Sequence, residues 1–170
     1  MILGMSLATF TLVHVILSLI GIFAGIVVLF GMFGSKTLPG WTAIFLVTTI
    51  LTSVTGYFFP VDKILPSHIV GALSLIALAI AVLAYYRSHV GGSWRWIYVV
   101  TAIAALYFNV FVGVVQAFAK IPFLHSLAPT QSDPPFVVAQ LVVLVLFIVF
   151  GVIAVRSFHP QASATALRAA

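Results

Sequence analysis

Cysteine is absent from the chain and so is glutamate; the only carboxylates are Asp62 and Asp133. Without cysteine there is no disulfide, no thiolate metal site and no cysteine nucleophile. Pumps driven by proton or sodium gradients usually rely on acids inside the bilayer. Neither aspartate lies in an apolar stretch, which disfavours that class. Charge of either sign is scarce: 5% of the 170 residues are charged, against 64% hydrophobic, and the mean hydropathy is +1.32. A water-soluble domain of this size carries several times that charged fraction on its surface. The solvent of this chain is therefore hydrocarbon, and the lipid bilayer is its first partner. The net charge of +5 is too thinly scattered for a nucleic-acid surface and reads as a topology signal.

What is present is a series of long apolar runs. Five stretches, residues 7–33, 41–59, 68–86, 96–119 and 136–155, reach the roughly 20 residues that a membrane crossing needs. The expected fold is all-α: one domain, an integral membrane bundle of five transmembrane helices. The first run lacks a basic leader and a small-residue cleavage site, so it is expected to stay in the mature protein. Gly34, Pro39 and Gly40 break the first connection, Pro60 and Pro66 bracket the second, with Ser67 as an expected N-cap, and Gly91-Gly92 breaks the third. The fourth, residues 120–135, is longest and is stiffened by Pro122, Pro129, Pro134 and Pro135. The alanine-rich tail 161–170 reads as a frayed end. Lys36, Arg87, Arg95, Arg156 and Arg168 share one side of such a bundle, against Lys63 and Lys120 on the other. The positive-inside rule then places the C-terminus in the cytoplasm and the N-terminus outside, in the periplasm of a bacterium.

Each run carries a narrow seam of small or polar residues at helical spacing. Thr11, His14, Ser18, Gly21 and Gly25 mark the first; Thr48, Thr52 and Thr55 run beside Thr49, Ser53 and Gly56 in the second. His68, Gly71 and Ser74 open the third. Tyr98, Ala102, Ala105, Asn109, Gly113, Gln116 and Lys120 recur along the fourth, and Gln140, Leu144, Phe147 and Gly151 along the fifth. An amide or imidazole facing lipid loses its hydrogen bonds, and small residues let backbones approach, so these seams face the bundle interior. Ser18, Gly21 and Gly25 are assigned to close packing. Placed by depth, His14, His68, Tyr57, Asn109, Gln116 and Gln140 concentrate toward the outer leaflet, with His125 on the loop above them.

Such an outer pocket fits several occupants. His14 and His68, on different helices, match the axial ligands of haem b, and imidazoles also take copper or zinc. His125 could add a ligand or close the pocket. Histidine, glutamine, asparagine and tyrosine equally suit the oxygens of a quinone. The plainer alternative is that these groups bond one another and fix helix register, as interhelical hydrogen bonds do without any ligand. Catalysis lacks a membrane carboxylate, a cysteine and a serine nucleophile motif, which leans away from an enzyme. A second function class is an accessory subunit whose seams and proline-rich loop dock other membrane proteins or a second copy. A small-solute carrier is disfavoured by the absence of repeat symmetry.

Three segments carry a resemblance: Thr52-Ser53-Val54-Thr55-Gly56-Tyr57-Phe58-Phe59-Pro60, Pro66-Ser67-His68-Ile69-Val70-Gly71 and Pro129-Thr130-Gln131-Ser132-Asp133-Pro134-Pro135-Phe136. They resemble those of small proteobacterial membrane proteins with no known activity. The resemblance implies a multi-pass protein of the bacterial inner membrane and transfers no functional residue.

Overall fold

The computed structural model describes residues 2–60 and 66–160. Asp62 and Lys63, and the tail 161–170 with Arg168, lie outside the described residues. Among the described residues the chain is helical and has no strand, in the order α1 (Leu7–Phe33), α2 (Pro39–Gly56), α3 (Pro66–Val82), a π-helical turn (Leu83–Arg87), α4 (Trp94–Lys120), α5 (Pro122–Leu127) and α6 (Pro134–Ser157). Five of these segments are long and apolar enough to cross a membrane: α1, α2, α3 with its π turn, α4 and α6.

Local chemistry explains where they begin and end. Ser6 caps α1, its hydroxyl accepting from the Thr9 backbone N–H at 3.1 Å, and supplies one donor of the first turn with a partner. Prolines open α2, α3, α5 and α6, where a missing N–H costs nothing. Helix α3 therefore starts at Pro66, and Ser67 is its second residue rather than its cap. The long fourth connection is more ordered than its prolines alone implied, because Pro122 nucleates the short helix α5 within it.

Helix α4 is the hub, packing on α1, α2, α3 and α6. Gly21 and Gly25 of α1 are buried where α2 and α4 converge. A Cβ on Gly25 would come within 2.5 Å of Leu106 and 2.9 Å of the Phe45 ring, so only glycine permits this approach. At the end of the bundle that carries Trp94, the core closes on large side chains. Tyr98 and Phe158 are fully buried with ring centroids 5.9 Å apart, and Tyr85 lies 5.1 Å from Tyr98. Arg95 donates to the carbonyls of Val155 and Phe158 at 2.8 and 2.6 Å, satisfying orphan acceptors at the end of α6. The opposite end is not filled in this way.

Candidate ligand site within the membrane span

At the end carrying Lys120, helices α1 to α4 surround a cavity of about 520 Å³. Its wall runs along α1 from Leu7 to Ile22 and along α4 from Lys120 to Phe108. At 1.5 Å per residue that is roughly 20 Å of depth, more than half of a hydrocarbon core about 30 Å thick. Most of the wall is apolar or small, including Val15, Leu19, Ile22, Val70, Phe108, Val112 and Gly113.

Polar side chains enter from all four helices. His14 comes from α1, where Thr55 of α2 holds its Nδ1 at 2.8 Å and the Phe59 ring stands edge-on at 5.2 Å. Phe59 also packs on Phe10, so the chain leaving α2 folds back over α1 and walls this side. Tyr57 follows α2; its hydroxyl donates to the His68 carbonyl at 2.6 Å, tying the start of α3 to the end of α2. Deeper in, Ser53 donates to Ser74 at 3.2 Å across α2 and α3. At the floor Ser18 donates to Asn109 Oδ1 at 2.8 Å, and the Asn109 amide returns a bond of 3.4 Å to the Ser18 carbonyl. Gln116 and Lys120 complete the α4 side toward the mouth.

Five residues expected in the pocket, His14, His68, Tyr57, Asn109 and Gln116, line this one cavity. Two others do not. Gln140 is buried on α6, which packs on α4 and α1 and does not border the space between α1, α2, α3 and α4. Its amide donates instead to the Phe111 carbonyl at 3.2 Å, while its Oε1 finds no partner among the described residues. His125 rides on α5 and is exposed outside the cavity. Asp133, on the same connection, accepts from the Thr130 N–H and hydroxyl at 2.7 and 2.9 Å and organises the turn into α6.

Ser18, assigned by spacing to close packing, and Lys120, read among the topology charges and at the end of the α4 seam, both line the cavity. The signal was present for each: Ser18 shares its stripe with His14, and Lys120 continues the stripe of Asn109, Gly113 and Gln116. The threonine face of α2 reads differently in the structure. Thr48, Thr52 and Thr55 donate to carbonyls one turn back, at 2.7, 2.9 and 2.7 Å, so their protons are already committed. Among the described residues no group of three or more His, Cys, Asp or Glu side chains is placed to hold a metal ion.

Five apolar spans, four of them around a polar-floored cavity, define a multi-pass helical membrane protein. No family model, no curated protein and no solved structure matches the chain, so the cavity is read from its own residues.

Proposed function

We propose that the cavity binds a lipid-soluble small molecule of the quinone class, in a protein of the bacterial inner membrane. One observation carries the reading. The space has the volume of a small-molecule site, about 300–1,000 Å³, with largely apolar walls and hydrogen-bonding side chains from four separate helices. A ring with oxygens at its edge matches both properties, and its apolar tail can leave toward lipid. Haem b is the second reading, favoured by His14 and His68 lining the same cavity from different helices.

Purified protein and its extracted lipids test the proposal. Quinone is expected to co-purify with the wild type and to be lost from Gly113→Leu. A Cβ at Gly113 meets only Ile22, at 3.6 Å, so the leucine fills cavity rather than core. Equal quinone in both proteins, at unchanged thermal stability, would contradict the reading. A Soret band abolished in both His14→Ala and His68→Ala would reassign the cavity to haem.

A further inference from the structure

The hydrogen-bonding polarity of His14 is fixed by the helix beside it. The Thr55 hydroxyl has one proton, and its oxygen lies 2.7 Å from the Leu51 carbonyl oxygen and 2.8 Å from His14 Nδ1. Two oxygens at 2.7 Å need a proton between them, and the carbonyl has none to give. Thr55 therefore donates to Leu51 and presents only a lone pair to the imidazole. An approach of 2.8 Å to that lone pair requires hydrogen on Nδ1.

In a neutral imidazole one nitrogen donates and the other accepts, so Nε2 carries the bare lone pair. The wall offers no carboxylate among the described residues to balance a charged ring, and its one formal cation is Lys120. Nε2 has no hydrogen-bond partner among the described residues, and it is not among the buried polar atoms left unsatisfied. It keeps accessible surface on a ring that lines the cavity.

We infer that the ligand presents a hydroxyl donor to His14 Nε2, so that of a quinone couple the site holds the quinol in preference to the quinone. The inference rests on the quinone-class reading of the cavity. A carbonyl in the same place would set lone pair against lone pair and leave the desolvated nitrogen unpaired. The other polar groups do not choose. The Gln116 amide carries both donor and acceptor. The Lys120 ammonium and the second amide hydrogen of Asn109 donate to a quinol oxygen as they do to a carbonyl, while the Asn109 carbonyl is taken by Ser18.

The test is an anaerobic calorimetric titration of the detergent-solubilised full chain with a short-chain benzoquinone and with its quinol. The quinol is expected to bind about tenfold more tightly, the worth of one hydrogen bond made rather than mismatched. Thr55→Val releases the tautomer and lowers the preference toward unity, Thr55→Ser keeps it, and His14→Gln binds both forms alike. Ring-nitrogen chemical shifts of ¹⁵N-histidine protein, assigned through His14→Gln, are expected to show a protonated Nδ1 and a bare Nε2 before ligand is added. Equal affinities in the wild type, or a protonated Nε2, would overturn the inference while leaving quinone-class binding standing. Binding of neither form would overturn both.

Discussion

Asn109 shows how a single residue ties packing to the cavity. It is buried at mid-helix on α4, and its two bonds to Ser18 join α4 to α1 at the cavity floor. Bonds of this kind contribute about 0.6 kcal/mol on average within membranes, up to about 1.7. Asn109→Ala is expected to lower unfolding stability in detergent by about 1 kcal/mol, as measured by denaturant titration, and Ser18→Ala to lower it by a similar amount or less. If the double variant lost the sum of the two single losses, the pair would not be coupled as described. Much of this was legible in the sequence, because a lone asparagine on a stripe of small residues has to face a neighbour. The partner was not legible, since Ser18, Thr48 and Thr49 are all polar groups at a similar level. The threonines of α2 were misleading for a related reason: a hydroxyl within an α-helix can bond its own carbonyl ladder, and composition does not reveal that choice.

At the scale of helices, the spacing between α1 and its neighbours depends on two glycines one turn apart. Gly25→Leu is expected to cost several kcal/mol or to abolish folding, because the rigid Phe45 ring stands 2.9 Å from the required Cβ position. Gly113→Ala, on α4, has only an ordinary contact at 3.6 Å and is expected to change stability by less than about 0.5 kcal/mol. Thermal unfolding of the two proteins in one detergent separates these outcomes. The five spans were readable because apolar length is a strong signal, and the α4 stripe because its polar positions recur at steps of three and four. The place of α6 was not readable. Its seam does face α4, with Gln140 bonded to Phe111 and Phe147 against Tyr107, but on the far side of α4 from the cavity. A helix apolar around its whole circumference announces that it meets lipid or protein, and leaves its position about the hub to tertiary packing.

The whole molecule is divided along its long axis. Large aromatic side chains close the end carrying Trp94, and the end carrying Lys120 holds a cavity. The excess of lysine and arginine on the closed side predicts that this side faces the cytoplasm and that the cavity opens into the outer leaflet. A cytoplasmically active reporter fused after the last residue is expected to be functional, and a periplasmically active one silent; the reverse pattern would place the cavity in the inner leaflet. The central claim, a ligand-accessible space inside the span, has a more direct test, because the chain contains no cysteine and any introduced thiol is unique. Gly113→Cys puts that thiol on the cavity wall without removing a hydrogen bond, and Leu146→Cys puts one on the exposed apolar face of α6. With a small thiosulfonate reagent in native membranes, the account predicts labelling at position 113, slowed severalfold by added quinol, and little at position 146. Equal labelling at the two positions, or labelling at 113 that quinol and quinone leave unchanged, would contradict it.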